Sequence, residues 1–224
     1  MNRLIMSGLI VVALASQLVQ AAEFASQKER LSYAVGYQIA KSMTARSADF
    51  DAKALIAAIE DVLNKSELRV SVEDMQGAIE KDRKLRAQQQ AKLAEETKAK
   101  GLAFRTDFAA GKDVKKTPSG VLYKVTKSGS GEFPKLTDTV TVHYRGTLID
   151  GTEFDSSYKR GQPATFALNR VIKGWQEALQ LMQPGAKINV VIPPELAYGD
   201  QGAGQMIAPG STLMFEIELL SIKK

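Results

Sequence analysis

The chain has 224 residues, 44% of them hydrophobic and 25% charged, an ordinary globular balance that excludes wholesale disorder and a membrane-embedded body. It contains no Cys and one His, which excludes a thiol nucleophile, disulfides, Cys-based zinc or iron–sulfur sites and a multi-His metal centre. A formal net charge of +5 over this length gives no basis for a nucleic-acid partner.

Residues 1–21 read as a cleaved secretory signal. Arg3 supplies a positive start, Leu9 to Ala15 a short apolar core, and Val19-Gln20-Ala21 the modest side chains a signal peptidase requires, leaving Ala22 first. The apolar run falls short of the ~20 residues that span a bilayer, so no membrane span is expected in the mature form. No Cys follows it, which rules out lipoprotein anchoring. The expected compartment is the periplasm, with outer-membrane association or secretion as the alternative.

Residues 22–70 contain no Pro and read as helical. Leu31, Ala34, Val35, Ile39 and Met43 share one face of a first helix. Leu55, Ile56, Ile59, Val62 and Leu63 share one face of a second, opening after Asp51 and stopping near Asn64. These faces lack a partner in so small a body, which predicts pairing with a second chain. A third segment, 71–111, opens on Ser71 with Asp74 three residues on, the capping-box spacing. It predicts a helix about 60 Å long. Between positions 81 and 100 its only large apolar residues are Leu85 and Leu93, too thin a seam for a coiled coil, so it is expected to be a solvated rod linking two bodies.

From 112 to 224 the period changes to two. Val121-x-Tyr123-x-Val125, Val140-x-Val142-x-Tyr144, Ile188-x-Val190-x-Ile192 and Leu213-x-Phe215-x-Ile217-x-Leu219 read as half-buried strands. All seven Pro lie here, and Asp150-Gly151 and Pro184-Gly185 mark turns. One short helix, with Trp175, Ala178, Leu179 and Met182 on its inner face, is expected to pack across a concave antiparallel sheet. The fold class is α+β: an N-terminal helical dimerisation domain, a long connecting helix, and a C-terminal antiparallel sheet wrapped on a short helix. His143 alternates against Val142 and Tyr144 and is read as structural.

Five strings occur in order in this half: Val142-His143-Tyr144-x-Gly146-x-Leu148, Gly151-x-x-Phe154-Asp155-Ser156-Ser157, Val171-Ile172-x-Gly174-Trp175, Ile192-Pro193-Pro194-Glu195-Leu196-Ala197-Tyr198-Gly199 and Leu213-x-Phe215-x-Ile217-x-Leu219-Leu220. Over residues 117–224 they resemble the FKBP family of peptidyl-prolyl cis-trans isomerases. With the helical front half, the whole resembles the family's secreted bacterial subgroup, the macrophage infectivity potentiator-like proteins. That resemblance implies a homodimer whose N-terminal helices intertwine and whose long helices hold two isomerase domains apart. It implies Trp175 as a floor under the proline ring and Tyr144, Phe154, Phe166, Val171, Ile172 and Phe215 as walls, with Ile207 at the rim. The Ile172 backbone N–H and the Tyr198 hydroxyl would hold substrate carbonyls. Asp155 would either meet the carbonyl of the twisting bond or fix Tyr144. Where the family often has a second aromatic, this chain has Ala164. Macrolides such as tacrolimus and rapamycin are expected ligands of the same pocket.

The residue types suit the chemistry. An Xaa-Pro bond prefers trans by only about 0.5–1 kcal/mol, yet turns over slowly because twisting the amide costs about 18–20 kcal/mol. A twisted amide has lost resonance and carries a less polar carbonyl, so a dry aromatic hollow favours it over either planar form. No cofactor and no metal is needed. The expected partners are unfolded or proline-containing polypeptides during folding of exported proteins. A rival reading is a binding module that grips unfolded chains in the cleft between two domains without catalysis.

Overall fold

The computed structural model describes residue 24 and residues 26–44 and 50–224, so the expected signal segment lies outside the described residues. The chain divides into two units, Met1–Ser71 and Val72–Lys224. No helix among the described residues is long and apolar enough to cross a membrane.

The first unit carries α1 (Gln27–Thr44) and α2 (Ala52–Asn64). Asp51 is the N-cap of α2, its carboxylate accepting the Ala54 N–H at 2.7 Å and satisfying one of the donors a helix start leaves free. The helix ends at Lys65, which turns left-handed with φ 54° and returns its N–H to the carbonyls of Asp61 and Val62. No residue of α1 is buried.

The second unit opens with α3 (Val72–Ala109), 38 residues that begin straight after Ser71 and stop two residues before Gly111. Pairs such as Glu80 with Lys84 and Asp82 with Arg86, four apart on the solvated surface, suit its charged composition. It is not solvated over its whole length, however: Ala94 and Gly101 are buried. Their side chains are too small to register in a count of apolar residues, and smallness is what lets another backbone come close.

Seven strands form one antiparallel sheet: β1 (Lys115–Lys116), β2 (Leu122–Lys127), β3 (Thr139–Leu148), β4 (Glu153–Ser156), β5 (Ala164–Ala167), β6 (Lys187–Ile192) and β7 (Leu213–Lys223). The order across the sheet is β1-β2-β6-β7-β3-β4, with β5 on β3. The two central strands run side by side from Thr139 opposite Lys223 to Leu148 opposite Leu213. Because side chains alternate, one face collects Val140, Val142 and Tyr144 from β3, Ile188, Val190 and Ile192 from β6, and Leu213, Phe215, Ile217 and Leu219 from β7. Onto that face packs α4 (Lys173–Leu179), burying Trp175, Ala178 and Leu179, with Met182 following just beyond its end. Gly174 is required for this approach: a Cβ there would lie 2.8 Å from Ile192 Cδ1 and closer still to its Cγ2. Val191 points to the opposite face and is nonetheless fully buried, beside a small cavity it shares with Phe108 of α3 and Met214.

His143 lies on the face opposite Val142 and Tyr144, half-buried and stacked on Tyr158 with ring centroids 4.7 Å apart. Its Nδ1 and the Ser157 hydroxyl are 3.0 Å apart, and Ser157 in turn accepts the Tyr144 N–H at 2.8 Å. The single imidazole is thus tied into the junction between β3 and the turn after β4.

Candidate functional site

At one end of α4 the core opens into a hollow of about 320 Å³ bounded by Tyr144, Phe154, Asp155, Phe166, Arg170, Val171, Ile172, Trp175, Tyr198 and Phe215. Trp175 is its centre. Tyr144, Phe166 and Phe215 stand edge-on to the indole, with centroid distances of 5.0, 5.7 and 5.3 Å and interplanar angles of 87°, 89° and 81°. Phe154 meets Phe215 edge-on at 5.6 Å. Such contacts add about 0.5–1.5 kcal/mol each beyond area burial, so the rings hold one another as a rigid cup. Gly146 makes room for it: a Cβ on that residue of β3 would come within 2.7 Å of the Phe154 ring and 2.8 Å of Phe215.

Each wall has a different source. Tyr144 comes from β3, Phe154 and Asp155 from β4, Phe166 from β5, Phe215 from β7, and Val171 and Ile172 from the approach to α4. Ile172 is the N-cap of α4 and has no capping side chain; its carbonyl accepts from Trp175 and Gln176, and its N–H meets no acceptor among the described residues. The indole N–H of Trp175 is likewise buried without an acceptor among the described residues. Both are donors beside the hollow. Tyr198 stands at the open edge, 41% exposed. Ile207 is not at the lining; it is buried in the core and pairs with Ala203 in a two-residue bridge. Ala164, opposite Val142, is partly buried against the core and adds no ring.

The polar corner is a three-membered network. The Tyr144 hydroxyl donates to Asp155 Oδ2 at 2.5 Å, and Arg160 donates both to Asp155 Oδ1 at 2.5 Å and to the Tyr144 oxygen at 2.7 Å. The Arg160 guanidinium also lies 5.4 Å from the Tyr144 ring centroid. Burial alone would raise the Asp155 carboxyl; the bonds from Tyr144 and Arg160 outweigh it and hold the group below the usual carboxylate range. Burial, aided by the bond to Asp155, pushes the Tyr144 phenol above its ordinary value. Asp155 is therefore a carboxylate, and Tyr144 a neutral phenol held in place by it, across the physiological range. Asp155 thus accepts from Tyr144 through one oxygen and from Arg160 through the other.

Arg160 and Arg170 escape a reading of the sequence. Both sit where a charge looks like ordinary solvated surface, Arg160 in the turn after β4 and Arg170 just before Val171. The available signal for Arg160 is a half-buried carboxylate five residues earlier that needs a counter-charge.

Comparison with known proteins agrees with this architecture on both halves. The family model for FKBP-type peptidyl-prolyl cis-trans isomerase matches residues 130–220, and that for the domain amino terminal to it matches residues 28–125. The chain belongs to the FKBP-type peptidyl-prolyl cis-trans isomerase family. Among its relatives is a probable FKBP-type peptidyl-prolyl cis-trans isomerase of Haemophilus influenzae, 42% identical over 99% of this chain and 96% of the relative. The outer membrane protein MIP of Legionella longbeachae is 40% identical over 96% of this chain and 94% of its own. Among solved structures, FkpA from Escherichia coli aligns with a TM-score of 0.61 at 39% identity, covering 89% of this chain and 98% of that one.

Proposed function

We propose that this protein accelerates Xaa-Pro rotation during folding of exported proteins, working in the periplasm as a homodimer and preventing aggregation of unfolded chains. The observation that carries the catalytic reading is the cup around Trp175: an apolar hollow with three edge-on rings, two backbone or indole donors and a phenol at its mouth. The proline ring sits on Trp175 between Tyr144, Phe154, Phe166 and Phe215. The Ile172 N–H and the Tyr198 hydroxyl hold carbonyls of the flanking peptide, so the chain is gripped on either side while the bond between turns. Asp155 and Arg160 keep Tyr144 rigid. Water is displaced, and the twisted amide, with its weakened dipole, loses less on leaving water than the planar forms do. No bond is made or broken, so positioning and desolvation supply the whole rate effect.

Exposed apolar residues of α1 and α2 support the dimer, since a second chain would cover them. A relative's name, outer membrane protein MIP, supports outer-membrane association or secretion as the alternative location. Tacrolimus and rapamycin are expected to compete for the same cup, with Phe166 alone forming the wall near Ala164.

The test is the cis-trans exchange rate of a short Xaa-Pro peptide. Acceleration by the full chain that falls in Tyr198→Phe and Asp155→Ala supports the reading. No acceleration by the parent sinks it and leaves the binding-module reading in its place.

A further inference from the structure

Tyr198 stands at the mouth of the hollow, and a loop follows it directly. That loop, residues 199–212, is built on glycines: Gly199, Gly202, Gly204 and Gly210 all have positive φ, between 56° and 74°. Glycine loses more freedom on ordering than any other residue, so such a segment holds its shape only if it is tied down. Within itself it has the bridge from Ala203 to Ile207 and the bond from the Gly210 N–H to the Gly199 carbonyl at 2.9 Å. Ser211 also bonds to the Ala208 carbonyl, and Ile207 is buried in the core. Further anchors come from α3.

Gln90 Nε2 donates to the Asp200 carbonyl at 2.9 Å, and Lys98 Nζ pairs with the Asp200 carboxylate at 2.7 Å. Arg105 donates to Thr212 Oγ1 at 2.5 Å, at the far end of the same segment. Positions 90, 94, 98, 101 and 105 recur at four- and three-residue steps and so share one face of the helix. Between the polar anchors the two backbones are nearly in contact. A Cβ on Gly210 would lie 2.5 Å from the Ala94 carbonyl oxygen, and one on Gly101 would overlap the Thr212 side chain. Ala94 and Gly101 are the two residues that α3 buries. The small residues give the close approach and the long polar ones seize the loop on either side, gripping it two residues after Tyr198.

We propose that Gln90, Lys98 and Arg105 are positioning residues for the hollow: through Asp200 and Thr212 they set the loop that carries Tyr198, so that the long helix governs how tightly a proline peptide is held. The proposal rests on the reading of Tyr198 as a group that holds substrate.

The single Trp of the chain is Trp175, on the floor of the hollow, so its fluorescence reports peptide binding without reference to catalysis. The experiment titrates the full chain with a short Xaa-Pro peptide and measures the same peptide's exchange kinetics alongside. Lys98→Glu sets two like charges against each other at Asp200 and is expected to raise the peptide Kd and KM about threefold to tenfold, with kcat within about a factor of two. Gln90→Ala is expected to give a smaller rise of the same kind. The exchanged pair Lys98→Glu with Asp200→Lys is expected to restore most of the affinity. A helix that merely stabilised the fold would lower the active fraction without moving Kd, and the exchanged pair would not rescue it. An unchanged Kd in Lys98→Glu, with Tyr198→Phe weakened, overturns the positioning role and leaves the role of Tyr198 standing. A raised Kd in Lys98→Glu with Tyr198→Phe unchanged overturns the proposal as stated, because the helix would then act on peptide binding by a route other than Tyr198. A parent that binds no proline peptide overturns both.

Discussion

Two regions of this chain treat their apolar side chains in opposite ways. In Val72–Lys224, Val140, Val142, Leu179, Leu213 and Leu219 are all 0% exposed, packed between one sheet and one short helix. In α1, by contrast, Leu31, Val35 and Ile39 are 61%, 52% and 46% exposed, and in α2 Val62 and Leu63 are 67% and 76% exposed. Both sets follow the periodicity of their element equally well. Periodicity therefore says which side chains share a face, and not whether one chain supplies what covers it. The sheet closes its core with its own residues and has room left for a hollow; the short helices present a stripe that needs another surface.

The largest effects expected from this contrast lie in the core. Leu179→Ala should cost about 3 kcal/mol of unfolding free energy, as a fully buried Leu does when the site cannot collapse, and the loss should not depend on protein concentration. Leu31→Ala, on the exposed stripe, should show a loss that shrinks as concentration rises, because it acts on association rather than on packing within one chain. Concentration-dependent melting curves decide both; a concentration-independent loss in Leu31→Ala would break the contrast.

Next in size is the effect on the proposed dimer. Val35→Asp with Ile39→Asp should halve the solution mass at micromolar concentration while leaving the exchange rate per chain unchanged, since neither residue touches the hollow. Light scattering checks the first and peptide exchange the second. Asp155→Ala should reduce kcat/KM about tenfold by releasing Tyr144 and leaving Arg160 without its carboxylate, and Arg160→Ala should reduce it less.

The smallest expected effect is on pH dependence. Asp155 has a folded pKa below its ordinary 3.8, so its network stabilises the fold above that value, and the contribution is lost as pH falls through the lower folded value. Tyr144 is shifted the other way, above its ordinary 10.0, so its contribution is complete below pH 10 and is lost as pH rises through the higher folded value. Between these limits the network's contribution to stability should be flat, and a stability profile measured on parent and Asp155→Asn should diverge only when the pH leaves that window.

Much of this was legible in the residues, and the gaps have physical causes. Each of the three front helices and the four longer strands announces itself by a run long enough to show its period. β4 and β5 have four residues each and β1 has two, too few for alternation to be visible. Yet β4 and β5 carry Phe154 and Asp155, which the ordered motifs pointed to, and Phe166, which only the family resemblance pointed to. The grip of α3 was hidden for the opposite reason: Gly101 in a helix looks like a defect until Thr212 is found against it. Arg160 was hidden because a cation in a turn looks solvated until its carboxylate partner is known to be half-buried. Ile207, placed by resemblance at the rim, is buried in the core, with the Ala203 N–H reaching its carbonyl at 2.8 Å.

The central claim is that Val72–Lys224 holds a complete isomerase site and that the front helices serve association and aggregation control. The direct measurement is the cis-trans exchange rate of one Xaa-Pro peptide under two proteins, the full chain and a chain beginning at Val72. Equal acceleration per chain, within about a factor of two, with suppression of aggregation lost in the shorter protein, is the predicted result. Acceleration by the full chain that vanishes in a folded shorter one would contradict the account, because the site would then require residues from the helical unit.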